Sequence, residues 1–268
     1  MRRFLMGAGL ALTISACGVS TQQEVELGAQ YAQQINAQLP IVRDPEINRY
    51  INVLGDSIAR LTARGQELDW TFYVVNFREV NAFAVPGGFI YVNRGLIDRA
   101  QNMSQLAGVL GHEIGHVVRR HSIEQMQKAQ GANFGATLAC ILTRICNTQV
   151  GQAAIQVGGT ALFAKFSRDD EREADQEAIV NTTRAGISPQ GIPEMFRILL
   201  NERERSATAV DAWFATHPLE EDRIRDTETE IAKISPAILR TLSRDSQNFQ
   251  AFKRRVAALP APTAAQGQ

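Results

Sequence analysis

The stretch "LGHEIGHVVRRH", residues 110–121, constrains this chain more than any other, because it gathers three of the four histidines. His112 and His116 are four apart, so a helix sets both rings on one face about one turn from each other. At that spacing two imidazoles reach one zinc ion, at roughly 2.0–2.1 Å. Glu113 sits one position on, about 100° round the helix. It is placed to reach a water beside the ion rather than the ion itself, as a general base must. His121 lies five residues past His116. It points away from the pair for as long as the helix continues, and so reads as a surface or helix-end bystander.

A catalytic zinc takes three protein ligands and keeps a fourth position open. The run "SRDDEREADQEA", residues 167–178, offers the third. Glu171 and Asp175 share a helical face, so one carboxylate can bind the ion while the other accepts the free ring N–H of a ligating histidine. Glu173 and Glu177 form an equally spaced pair, and spacing does not choose between them.

The rest of the chain predicts a mainly helical α+β domain with one small sheet of about three strands. An apolar stripe marks a helix over 24–39. Asp44 as cap and Pro45 in the first turn open a second, carrying Ile47, Ile51, Leu54, Ile58 and Leu61 at helical spacing. "WTFYVVN" (70–76) is aromatic and β-branched and predicts a strand. "NAFAVPGGFIYVN" (81–93) predicts two more around a Pro-Gly-Gly break. Asn102 with Gln105 opens the histidine helix as a capping box. Helices are expected from about 169 to 184, from the region of Pro189 and Pro193 to 204, and from Pro218 onward, with His217 as the cap of the last. Residues 131–164, rich in glycine, alanine and glutamine, read as a loosely packed helical hairpin or lid. The tail "PAPTAAQGQ" has nothing apolar to bury and is expected to be disordered.

"MRRFLMGAGLALTISAC" has the charged start, short apolar run and small-residue end of a secretory signal. Its apolar run is too short for a bilayer core of about 30 Å. "ISAC" resembles a bacterial lipobox, which makes Cys17 the acylated N-terminus of a mature chain, and the Gly18 that follows is compatible with the outer membrane. Removing residues 1–16 takes away Arg2 and Arg3 and leaves 26 basic against 28 acidic side chains. With no basic stripe either, the composition gives no ground for a nucleic-acid partner. In an oxidising compartment Cys140 and Cys146 are expected to bridge. Six apart on a continuous helix they would face away from each other, so a bridge needs a break between them.

Taken jointly, "HEIGH" and "EREAD" some 55 residues later resemble the gluzincin metallopeptidases of the HtpX, BepA and LoiP group. "NAFAVPGGFIYV" and "THPLEEDR" extend the likeness over residues 70–230 or so. The resemblance implies a gluzincin-type catalytic domain, with the sheet beside the zinc helix. It implies one Zn2+ on His112, His116 and Glu171, Glu113 as base and Asp175 behind a ligand; the Ala174–Asp175 pair favours Glu171 over Glu173. It places His217 near the zinc, as a stabiliser of the oxyanion or as a fourth ligand that holds the enzyme latent, and lets Arg223 assist with the oxyanion. It also favours "GGFIYV" (Gly87, Gly88, Phe89, Ile90, Tyr91, Val92) as an exposed edge strand on which an extended substrate is added. The expected division is a signal over 1–16, a peptidase domain over 17–242, and a C-terminal helix with its tail over 243–268. The expected activity is zinc-dependent cleavage of unfolded or misassembled cell-envelope proteins by a lipid-anchored enzyme facing the periplasm, closest to the stand-alone LoiP-like form. The competing class is a non-catalytic chaperone or assembly adaptor with a structural zinc.

Overall fold

The computed structural model describes residues 18–130, 165–218 and 221–262. Cys17, the signal segment, the Cys140–Cys146 pair and the expected hairpin at 131–164 lie outside these. The described elements run α1 (Thr21–Gln38), α2 (Pro45–Ala59), β1 (Thr71–Val75), β2 (Ala82–Val85), β3 (Phe89–Asn93), α3 (Arg94–Arg99), α4 (Met103–Val118) and α5 (His121–Gln130). After residue 164 come α6 (Arg168–Arg184), α7 (Gly191–Arg205), α8 (Ala207–Thr216), α9 (Glu221–Ala232), α10 (Pro236–Leu239) and α11 (Gln247–Ala257).

Helix starts follow the sequence chemistry. The Asp44 carboxylate accepts from the backbone N–H groups of Glu46 and Ile47, with Pro45 in the first turn. Asn102 accepts from the Gln105 N–H at 3.2 Å, but Gln105 returns its side chain to the N–H of Gln101 rather than to the cap. Ser167 opens α6 with a full capping box shared with Asp170. The main hydrophobic core lies among α2, one face of the sheet, α4, α7 and α11. A smaller core on the other face packs Tyr91 against Leu27 and Tyr31 of α1 and Ile123 and Met126 of α5. The C-terminal α11 contributes Phe249, Phe252 and Val256 to the main core. Beyond it the chain is held at Arg94, whose guanidinium donates to the carbonyls of Ala257, Leu259 and Pro260.

The sheet corrects one expectation. Its strand order is β1-β3-β2, with β3 parallel to β1 and antiparallel to β2. The segment Gly87–Val92 is therefore the centre of the sheet, paired on both sides. Gly87 and Gly88 have φ of 83° and 98° and form the hairpin turn, a conformation suited to glycine. That turn is covered by α1, since a Cβ on Gly87 would stand 2.9 Å from the Cα of Val25. Tyr91 is buried, stacked between Tyr73 and Phe83. The outer side of β1 is also taken, by Asn52, which bonds the backbone N–H and C=O of Phe72, and by a bridge from Ile41 to Val75. Among the described residues no strand pairs with the outer side of β2.

One helix pair positions the histidines. Gly111 and Gly115 of α4 face Ala178 and Ala174 of α6 so closely that a Cβ on Gly115 would lie 2.8 Å from the Ala174 carbonyl oxygen. Each glycine immediately precedes a histidine, and each alanine follows a carboxylate of the Glu171–Asp175 pair by three residues. Two stripes of small residues thus bring the two polar faces into contact. Gly115→Val is expected to push the helices apart and cost about 1–3 kcal/mol, the usual range for overpacking, read as a lower urea midpoint. An unchanged midpoint would mean that the close approach is not needed.

Candidate metal centre

His112 and His116 leave α4 side by side, Glu171 and Asp175 leave α6 opposite them, and His217 enters from the end of α8. His112, His116, Glu171 and His217 are all buried and offer ligand atoms within 4.8 Å of one another. The Nε2 atoms of His112 and His116 are 3.0 Å apart. The Oε1 of Glu171 stands 3.3 Å from Nε2 of His116 and 3.0 Å from Nδ1 of His217. Its other oxygen accepts from Arg223.

His217 closes the preceding helix, and the residues that open the following one, 219 and 220, lie outside the described residues. It is the C-cap of α8, its backbone N–H donating to the Trp213 carbonyl at 2.8 Å, and its ring stacks on Trp213 at 4.6 Å between centroids. From there Nδ1 faces the cluster and Nε2 stands 3.5 Å from Oε1 of Glu113.

The charges around the cluster interlock. Burial alone would raise Glu171 and Asp175, but His217 and Arg223 hold the Glu171 carboxyl well below its ordinary value, and Arg223 with His112 lowers Asp175. Burial raises Glu113, opposed in part by His217 and His112. Burial pushes His116 well below the ordinary histidine value, which keeps its ring neutral. For His217 burial is outweighed by Glu171 and Glu113, and its affinity for a proton rises.

The donor set fits a metal on three observations. Asp175 Oδ1 is 2.8 Å from Nδ1 of His112, so that histidine carries its proton away from the cluster and turns a lone pair inward. Two ring nitrogens facing each other at 3.0 Å need a proton or a cation between them, and a cation serves when both turn lone pairs inward. Oε1 of Glu113, buried beside the cluster, has no hydrogen-bond partner among the described residues, the position a general base facing a ligand water would take.

The residues expected from the sequence thus come together, with two differences. Arg223 donates through Nε and Nη2 to Asp175 and through Nη1 to Glu171 and the Pro218 carbonyl, and its guanidinium lies over the Phe196 ring at 4.6 Å. Its donors are engaged with Asp175, Glu171 and the Pro218 carbonyl, not aimed at an oxyanion. The bystander His121 is only 3 % exposed, and its Nδ1 is 2.9 Å from Nδ1 of His116. The helix does not continue: Arg120 adopts φ 61°, and α5 restarts at His121. Sequence reasoning also missed Phe166, stacked on His116 at 3.9 Å between centroids, for which no local signal exists. Trp213 was findable, being four residues before His217 on a helix.

Residues 45–231 match Peptidase family M48. The chain belongs to this family. Membership assigns it to the zinc-dependent metallopeptidases, and zinc is the ion that the histidine and carboxylate donors suit. The chain is similar to the beta-barrel assembly-enhancing protease of Escherichia coli, 30 % identical over 249 residues that make up 91 % of this chain and 50 % of that protein. It is similar to the metalloprotease LoiP of the same organism, 29 % identical over 236 residues, 83 % of this chain and 86 % of LoiP. With metalloprotease YcaL it shares 32 % identity over 169 residues, 63 % of this chain and 64 % of that one. The chain spans about half the length of the first of these relatives. Among the described residues no helix is long and apolar enough to cross a membrane.

Arg223→Met keeps the length and packing of the side chain but leaves Glu171 and Asp175 without their cation. A loss of about 3–5 kcal/mol is expected for the metal-free protein, measured by urea unfolding with chelator present. A loss below about 1 kcal/mol would mean that the guanidinium does not support the carboxylates.

Proposed function

We propose that this chain is a zinc endopeptidase that cleaves extended or unfolded polypeptides of the bacterial cell envelope, with His112, His116 and Glu171 as its ligands. The observation that carries the reading is the buried Oε1 of Glu113, which makes no hydrogen bond among the described residues and stands beside the four-donor cluster. A purely structural zinc, as in a chaperone or adaptor, accounts for the donors but not for a buried carboxylate oxygen left without a hydrogen bond beside them.

Zinc, when bound, polarises a carbonyl and lowers the pKa of water towards about 7. Glu113 takes the proton of the attacking water at Oε1. It then gives that proton to the amine nitrogen as the C–N bond breaks, so the products are a carboxylate and a free amine. The burial that raises Glu113 favours holding the proton between the two steps. Asp175 keeps His112 turned to the ion, and Arg223 holds Asp175 and the outer oxygen of Glu171.

The extended substrate adds to the outer side of β2, the strand packed beside α4. Asn93 donates its N–H to the Asn81 carbonyl. Alternation along an antiparallel pair then turns the backbone groups of Ala82 and Ala84 outward, away from β3. Envelope proteins as substrates, and β-barrel components among them, are suggested by the names of the relatives. Attachment through an acylated Cys17, facing the periplasm, follows from the lipobox-like start.

The place of His217 supports the latent reading over oxyanion stabilisation, because its Nδ1 lies among the ligand atoms, 3.4 Å from Nε2 of His112. His217→Ala is expected to raise cleavage of casein several-fold, and a fall would reverse that assignment. Glu113→Gln should keep its zinc and cleave at least about a hundredfold more slowly, the lower bound for loss of a general base. A variant that retains the metal and cleaves at the wild-type rate would remove Glu113 from the mechanism.

A further inference from the structure

His121 lies behind the cluster, and nothing in the proposed mechanism employs it. Its ring is perpendicular enough to that of His116, at 72° with 5.1 Å between centroids, for the two Nδ1 atoms to meet edge-on at 2.9 Å. Its other nitrogen, Nε2, stands 3.7 Å from Glu173 and 3.9 Å from Asp170, both on α6.

The chain goes to some length to bring it there. Arg120 occupies the left-handed region, where non-glycine residues are uncommon and cost of order 1–3 kcal/mol. That residue is fixed from α1: its guanidinium donates to the Val19 carbonyl and stands 2.9 Å from the Glu24 carboxylate, which is itself fully buried. Arg64 grips the same carboxylate with two donors and also bonds the Val117 carbonyl at the end of α4. Glu24 thus ties the last turn of α4 to the kink that turns His121 inward.

The direction of the His116–His121 bond follows by elimination. A neutral imidazole has one ring proton. If Nε2 of His116 is to present a lone pair to an ion, its proton is on Nδ1, and His121 must accept it through its own Nδ1. The proton of His121 is then on Nε2, on the side of Glu173 and Asp170. We infer that His121 is a positioning residue for the zinc site: it accepts the Nδ1–H of His116, fixes that ligand's tautomer and ring orientation, and is itself oriented by the acidic pair on α6. The two histidine ligands are accordingly backed by different chemistry, His112 by a carboxylate and His116 by a second imidazole. The inference rests on His116 being a zinc ligand.

The test uses the full chain with Glu113→Gln throughout, to prevent self-cleavage. Zinc affinity is measured by competition with a chelator for His121 as it stands, His121→Phe and His121→Asn. Phenylalanine removes the acceptor, and zinc should bind about 10–100-fold more weakly, as when the outer partner of a ligating histidine is lost. Asparagine offers Oδ1 where Nδ1 stood and should recover most of that loss. Nitrogen-15 NMR of the zinc-loaded protein should find the proton of His116 on Nδ1, coupled across the hydrogen bond to Nδ1 of His121. Zinc bound equally well by a folded His121→Phe, or no recovery in His121→Asn, would overturn the role. Should the phenylalanine variant not fold, a His116 proton found on Nε2 overturns it alone. If the protein carrying His121 binds no zinc at all, the ligand assignment itself has failed, which is a separate result.

Discussion

The site depends on how closely α4 and α6 approach. Glycines one residue ahead of each α4 histidine, set against alanines three residues past Glu171 and Asp175, let the two backbones come together with almost no side chain between them. Only at that separation do donors from two helices converge on one point. It also encloses the charges. Buried ionised groups are tolerated when they are paired and hydrogen-bonded, and removing one partner is costly. Here Arg223 answers two carboxylates, His217 answers the Glu171 oxygen, and Asp175 answers His112. The one buried oxygen of the set without a hydrogen-bond partner among the described residues belongs to Glu113. Packing and electrostatics therefore support one arrangement: the helices cannot separate without stranding charge, and the charges cannot be rearranged without separating the helices.

What was legible in the sequence was what is encoded at helical spacing. "HEIGH" and "EREAD" carry their chemistry at i, i+4, and a helix brings such residues together whatever surrounds it. The Asp44–Pro45 start was legible for the same local reason, since the cap and the first turn are adjacent in sequence. Strand neighbours were not. A run such as "GGFIYV" announces a strand and a turn, but whether it lies at the edge or the centre is decided by β1, which is paired to it from across the Gly-rich turn and the whole of β2. The burial of Tyr91 between Tyr73 and Phe83 is a property of three strands at once.

Two histidines show the same boundary from the other side. His217 stands before a proline, which suggests the start of a helix, yet the hydrogen bond that places it runs backward to Trp213. His121 follows an arginine, and an arginine gives no local sign of a left-handed turn. At the turn Arg120 meets Glu24, about a hundred residues earlier in the chain. Continuing the helix through Arg120 was sound on local grounds, and the contact that accompanies the break joins residues far apart in the chain.

Arg94 has a consequence at the opposite end of the molecule. This guanidinium at the start of α3 is largely buried, and several of its acceptors are main-chain carbonyls at the end of α11 and just after it. The segment after α11 is accordingly held by a cation as well as by the apolar Leu259. A shortened chain ending at Val256 would lose the packing of Leu259 together with the acceptors at 257, 259 and 260. Fusions and truncations at this end should begin beyond Pro260.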